Sequence, residues 1–489
     1  MTAPVPAQVR YGTPAGRWVL LATVLGSGMA ALDATVVNVA LPALGKDLGA
    51  GVSGLQWVLT GYLLTLAALI LLGGALGDRY GRRRIFVIGV VWFMTASLLC
   101  GIAPSLGFLI AARALQGAGG ALLTPGSLAI IDASFAPQDR GRAIGAWSGL
   151  GGIATAIGPF AGGWLVSAVS WRLIFLLNLP LALAVLSATR RVPETRDPDA
   201  TGRVDFAGAA LGAVGLAGLT YALIEGPGGS AATGVVAAAA VIGGLALVGF
   251  VVVERTTAHP MLPLSMFNNR QFTAANLVTV TMYASLGGVF FLLAVELQQV
   301  LGYSPVEAGA ALFPVTLIML LLSARAGALA QRIGPRLPMT AGPLVVSVAL
   351  LMLRRLSPGA SYLADVLPAV VVFGLGLSFV VAPLTTAVLG AVDPRRAGIA
   401  SGINNAVARV AGLLAVAMLP SLAGITGNDY RNPAAFNAGF RTAMTISAGL
   451  AAVGGVLAWF GIRNPERASE PVGATHCAVD GPPLRLSAR

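Results

Sequence analysis

Charge is the scarcest property of this chain. Only 10% of its 489 residues are Asp, Glu, Lys or Arg, against roughly 25% in soluble proteins. With 56% hydrophobic residues and a mean hydropathy of +0.83, an ordinary soluble domain is excluded. Lysine is nearly missing: Lys46 stands alone among the basic residues, a bias that suggests a GC-rich genome. Of the two cysteines, Cys100 lies in an apolar run and Cys477 in the tail, so no disulfide is expected. His259 and His476 lack ligand-type neighbours at metal spacing, so no metal is expected. There is no Gly-x-x-x-x-Gly-Lys-[Ser/Thr] phosphate loop and no nucleophile–base constellation, which argues against ATP drive, a cofactor or an enzyme. Period-two alternation is also absent, which excludes a membrane β-barrel.

What the chain does have is apolar runs of membrane-spanning length. Fourteen spans are expected, at 18–40, 56–76, 85–103, 107–131, 143–167, 173–189, 206–224, 232–253, 273–294, 308–324, 337–353, 366–390, 398–422 and 442–461. Arg10 and Arg17 precede the first run as in a signal peptide, but its length and the many following spans make it an uncleaved first span. The net charge of +12 does not point to nucleic acid, because the arginines sit in short loops between spans. With the first terminus inside, the outer loops hold Lys46, Arg172, Arg354, Arg355, Arg431 and Arg441, and the spans hold Arg113 and Arg409. The other basic residues fall on the inner side, so both termini are expected in the cytoplasm and the protein in the plasma (inner) membrane. The Arg354-Arg355 pair runs against that bias.

The expected organisation is a cytoplasmic N-terminus (1–17), a six-helix half (18–189), a linker with two extra spans (190–270), a second six-helix half (271–461) and a disordered cytoplasmic tail (462–489). An internal repeat supports it. Gly74-Ala75-Leu76-Gly77-Asp78-Arg79-Tyr80-Gly81-Arg82-Arg83 is echoed by Gly327-Ala328-Leu329-Ala330-Gln331-Arg332-Ile333-Gly334-Pro335-Arg336, with Gln331 in place of Asp78. Thr124-Pro125 likewise echoes Ala382-Pro383. Such repeats mark transporters built from two related halves with the site between them.

The spacing from Gly74 through Arg83 resembles the loop between spans two and three of the major facilitator superfamily. Leu32-Asp33-Ala34-Thr35-Val36-Val37-Asn38-Val39-Ala40-Leu41-Pro42 in span one is similar to a signature of its fourteen-span drug:proton antiporter family. Arg113-Ala114-Leu115-Gln116-Gly117 resembles the superfamily's fourth-span motif, and Gly158-Pro159-Phe160-Ala161-Gly162-Gly163 its antiporter motif, with Ala154 replacing the first glycine. Trp171-Arg172-Leu173-Ile174-Phe175-Leu176-Leu177-Asn178-Leu179-Pro180, Leu301-Gly302-Tyr303-Ser304-Pro305 and Ala400-Ser401-Gly402-Ile403-Asn404-Asn405 are similar to further family segments. The resemblance implies an all-α membrane bundle of two six-helix halves plus two inserted spans, working by alternating access.

On the residues alone, Asp33 is the one acid deep in a span, and an acid there is costly unless paired or protonated. It is either a proton carrier or half of a fixed ion pair. Asp33 lies about 16 residues into its span, ~24 Å at ~1.5 Å per residue, and Arg113 lies about 6 residues into its own from the other side, ~9 Å. The two therefore share a depth, although nothing in the sequence shows that their helices face each other. Gly74, Asp78, Arg79, Gly81, Arg82 and Arg83 are expected to form a gating loop, and Gly158, Pro159, Gly162 and Gly163 a kinked, closely packed helix. Gln116, Asn38 and Arg409 are candidate cavity residues; Arg409 either meets substrate or water, or caps backbone carbonyls. Glu225, Glu296 and Asp365 are the reserve acids near span ends.

The reading is a monomeric proton-coupled antiporter that exports small amphiphilic drugs or antibiotics through the bilayer, with no cofactor beyond the proton motive force. The absence of an acid in 312–319 argues against a preference for dications. The alternatives are a dedicated exporter of a host metabolite and a membrane sensor built on the same fold.

Overall fold

The computed structural model describes residues 9–197, 204–226, 231–258, 260–393, 396–427 and 429–464. His259, His476, Cys477 and the tail read as disordered lie outside the described residues, except for the tail's first residues up to Asn464. Among the described residues the chain is helical, with one isolated bridge between Val9 and Phe135.

Helices α1 (Pro14–Asp47), α2 (Val52–Tyr80), α3 (Arg82–Gly101), α4 (Leu106–Ser134), α5 (Pro137–Ala168), α6 (Leu173–Leu176) and α7 (Asn178–Thr189) pack on one another. Helices α10 (Arg270–Gln299), α11 (Pro305–Ala311), α12 (Phe313–Ile333), α13 (Arg336–Leu353), α14 (Leu367–Leu389), α15 (Ala397–Leu422) and α16 (Pro433–Gly461) form a second packed group. Between them, α8 (Phe206–Glu225) and α9 (Thr233–Thr256) pair with each other, and α8 also touches α2 and α15. α9 leaves Val241, Ile242, Leu245 and Val248 exposed, a face suited to lipid.

Among the described residues, thirteen helices are long and apolar enough to cross a membrane. The remaining expected span, Leu173–Thr189, is shorter and broken between α6 and α7. The break follows from Pro180, which has no N–H to offer the carbonyl four residues back and whose ring crowds it. Pro314 has the same effect between α11 and α12.

The stretch 74–84, read as a loop, is mostly helix. α2 runs through Tyr80, and the turn into α3 is Gly81 alone, at φ +111°. Asp78 and Arg82 pair across that turn, with Arg82 Nε 2.8 Å from Asp78 Oδ1. The repeated turn behaves alike: Gly334 has φ +87° between α12 and α13. Each turn is capped from a distance. Glu194 accepts the Arg83 and Arg84 backbone N–H groups at 3.0 and 3.1 Å, and Asn464 accepts that of Arg336 at 3.1 Å. A side chain at Gly81 would collide with Glu194, and one at Gly334 with Asn464. Both described termini lie at this end, Tyr11 N–H bonding Asp139 and Asn464 meeting the Gly334 turn.

The opposite, far end is where the two groups are tied together. Gln56 Nε2 donates to the carbonyls of Val416 and Ala417 at 2.8 and 3.0 Å. Tyr430 hydroxyl donates to the Ala50 carbonyl, Val52 N–H to that of Gly427, and Gln298 Nε2 to that of Val39. α5 also meets α11 there, backbone against backbone: a Cβ at Gly163 would strike the Pro305 carbonyl, and one at Gly309 the Pro159 carbonyl. Toward the turn end, by contrast, a Cβ at Gly141, Gly145, Gly149 or Gly152 of α5, or at Gly398 of α15, would meet nothing.

Candidate functional site

Asp33 and Arg113, matched in depth by the sequence, are in contact. Arg113 Nη1 lies 2.5 Å from Asp33 Oδ2, and each side chain is only 1% exposed. The pair is embedded in a polar knot drawn from six helices. Gln116 Nε2 and Asn178 Nδ2 both donate to Asp33 Oδ1, at 2.8 and 3.0 Å. Arg113 also donates to Gln116 Oε1 (2.6 Å) and through Nε to the Val58 carbonyl of α2 (3.2 Å). Ser97 of α3 accepts from Gln116 and Asn178 and donates to the Phe175 carbonyl. The Arg113 guanidinium lies over the Tyr62 ring, 4.4 Å from its centroid.

This arrangement satisfies both Asp33 oxygens while sealing the pair from solvent. Burial strips water from the Asp33 carboxylate, and one guanidinium and two amide donors take its place.

The break at Leu177 serves the knot, because Asn178 heads α7 and turns its amide toward Asp33. Ser97, Tyr62 and Asn178 had no role assigned from sequence. Asn178 stood in a quoted family segment, which was the available signal; Ser97 and Tyr62 gave none. Gln116, a candidate cavity residue, is fully buried in the knot. Asn38 stays off it, donating to the Ala34 carbonyl of its own helix. Asp33 is not the one fully buried acid: Glu296 is 0% exposed near the far end of α10, where it accepts from Asn437 of α16. Glu225 accepts from Trp57 Nε1 at 2.8 Å, tying α8 to α2.

The other candidates sit elsewhere. Asp78 and Arg82 pair within the α2–α3 turn, where Arg83 donates to the Val192 carbonyl and Arg79 lies over Tyr80. Gly74 is in ordinary contact with Pro125 of α4. Gly158 and Gly162 seat α5 on α1, opposite Thr35 and Val36, and Gly163 and Pro159 seat it on α11. Pro159 lies inside α5 without interrupting the helix. The Ala154 side chain lies outside the described residues. Trp171 and Arg172 both bond Asp47 Oδ2, at 2.9 and 2.8 Å, pinning the far end of α1. Arg409 is half-buried near the middle of α15. No group of three or more His, Cys, Asp or Glu suited to a metal occurs among the described residues.

Comparison with known proteins fits this geometry. Residues 23–416 match the model of the Major Facilitator Superfamily. The chain is 36% identical over 485 residues to the puromycin resistance protein pur8 of Streptomyces alboniger, covering 96% of each. It is 35% identical over 424 residues to the tetracenomycin C resistance and export protein of Streptomyces glaucescens, covering 85% of this chain and 77% of that one. Its fold resembles that of a bacterial homolog of the human lysosomal transporter Spinster, in an inward-facing and unoccupied conformation, with a TM-score of 0.64 at 18% identity over 92% of this chain and 97% of that one. Fold, motifs and sequence agree: the chain is a multi-pass membrane transporter, not an enzyme, and belongs to the Major Facilitator Superfamily.

Proposed function

We propose that the chain exports amphiphilic drugs or antibiotics across the plasma membrane in exchange for protons, as a monomer. Its two helical groups (18–189 and 271–461) would rock about a central site, with the insertion 190–270 riding beside them. The relatives named for resistance to puromycin and tetracenomycin C support export of such molecules. The arginine bias of the loops supports a cytoplasmic turn end, so that the far-end ties correspond to an inward-open state.

The observation that carries the proton coupling is the sealed Asp33–Arg113 knot. Outward opening would unpack it, let water reach Asp33 and load a proton. Inward opening would restore the donors and expel the proton as substrate binds. The driving force is about 2.3 kcal/mol per charge per 100 mV, plus the pH gradient. Asp33→Asn mimics the protonated acid. In proteoliposomes with an imposed pH gradient and a fluorescent substrate, it is expected to abolish proton-driven efflux while substrate still binds. Wild-type efflux with substrate-triggered proton movement in that variant would move the carrier elsewhere, to Glu296 first.

A narrower reading, export of a metabolite made by the host itself, is favoured by the relative named for both resistance and export of one compound. Resistance profiling in a pump-deficient host separates the two by breadth. A non-transporting sensor would show no efflux in the same assay.

A further inference from the structure

Arg409 is the cation that the knot leaves out. It lies about 12 residues from the start of α15, ~18 Å at ~1.5 Å per residue, and so near the middle of the bundle. Gly402, Arg409 and Val416 recur every seven residues and share one helix face. Gly402 on that face abuts Leu71 of α2, and the Val416 carbonyl receives Gln56 of α2. Arg409 thus stands at the boundary between the two packed groups, on the face of α15 that meets α2. Asn405, one turn away, is exposed. Among the described residues Arg409 has no hydrogen bond and no ion pair.

A guanidinium cannot shed its proton at any physiological pH, and a bare one in the middle of a membrane bundle is costly. Among the described residues no acid is available to it. Asp33 is matched by Arg113, which leaves that knot neutral. Glu225 is engaged by Trp57, Glu296 by Asn437, and Glu254 and Asp365 stand at helix ends. The centre of the molecule therefore carries one uncompensated positive charge on a half-buried side chain.

We propose that Arg409 is the anion subsite of the transported molecule, so that the preferred substrates are amphiphiles bearing a carboxylate or an ionised phenol. The guanidinium fork takes the anionic oxygens, and the apolar remainder of the molecule lies between the helical groups. This deepens the export reading and rests on it only where transport is concerned. Exchange of a monoanion for one proton carries two positive charges inward, against one for a neutral molecule and none for a monocation. Export of anions would therefore respond most steeply to membrane potential.

The test uses the purified full chain and three probes of one shape: 2-naphthylacetate, its methyl ester, and naphthylmethyl-trimethylammonium. Naphthylacetate is expected to bind at least about tenfold more tightly than the ester, the scale of one hydrogen-bonded charge pair. Arg409→Gln should bring the acid down to the ester's affinity and leave the ester unchanged. Arg409→Lys should keep part of the preference, because the charge remains but the fork is lost. Equal binding of all three probes, binding of none, tightest binding of the ammonium, or an intact preference in Arg409→Gln would overturn the subsite. A charge preference in binding with no transport of naphthylacetate or protons in proteoliposomes would leave the subsite standing and sink the export reading. Transport of all three probes without charge preference would do the reverse.

Discussion

Arg113 uses its planar fork on several partners at once: Asp33, Gln116 and the Val58 carbonyl in the plane, with Tyr62 beneath it. A lysine would keep the charge but lose the Nε bond and the flat face against the ring. Arg113→Lys is therefore expected to destabilise the purified protein by about 0.5–1.5 kcal/mol, the worth of the lost Nε bond to the Val58 carbonyl. The reading is a lowered Tm in detergent. Arg113→Leu should cost more, about 3–5 kcal/mol, because it strands the Asp33 carboxylate. Equal Tm for wild type and Arg113→Lys would mean that the Val58 bond and the Tyr62 contact add nothing.

At the scale of elements, α5 touches both groups. Gly158 and Gly162 let it lie against α1, and Gly163 lets it meet the Pro305 carbonyl at the start of α11. At Gly163 a Cβ would meet backbone, which cannot yield, whereas at Gly158 and Gly162 it would meet the β-branched side chains of Thr35 and Val36, which are stiff at χ1. Gly158→Leu should separate α5 from α1, and Pro159→Ala should restore a backbone hydrogen bond at the position where α5 lies against Gly309. Both are expected to impair efflux without changing any charge, with normal insertion into the membrane. Whole-cell efflux of a fluorescent substrate, corrected for expression, checks this. Normal pumping by both variants would reduce the α5 motif to ordinary packing.

For the whole molecule, the proposed alternating access would make the balance between open ends a competition between small numbers of hydrogen bonds. The far end is tied by Gln56, Tyr430 and Gln298, each donating to a carbonyl across the boundary. Tyr430→Phe removes one donor and strands the Ala50 carbonyl, about 0.5–1.5 kcal/mol against the closed far end. Such a change shifts the population by up to about tenfold toward far-end opening. Asp78→Asn should act in the other direction, weakening closure at the turn end and slowing transport while insertion stays intact. Spin-label distances across each end report both. A far-end distribution that Tyr430→Phe leaves unchanged would show that this tie carries no weight, and normal transport by Asp78→Asn would remove the latch from the turn end.

The one-dimensional pattern determined where the chain crosses the membrane, because length and apolarity alone decide which runs can lie in lipid. It also determined the repeat, and the equal depth of Asp33 and Arg113 follows from counting residues along two helices. It did not determine which way each helix turns. Most spans are apolar on every side, so periodicity leaves their rotation unmarked, and only close packing between helices settles it. That packing decided that Asp33 faces Arg113, that Ser97, Asn178 and Tyr62 join them, and that Arg409 does not. It decided as well that Glu194 and Asn464, far along the chain, cap the two repeated turns. Residues separated by a hundred positions or more were brought together by tertiary contact, for which a linear sequence carries no local signal.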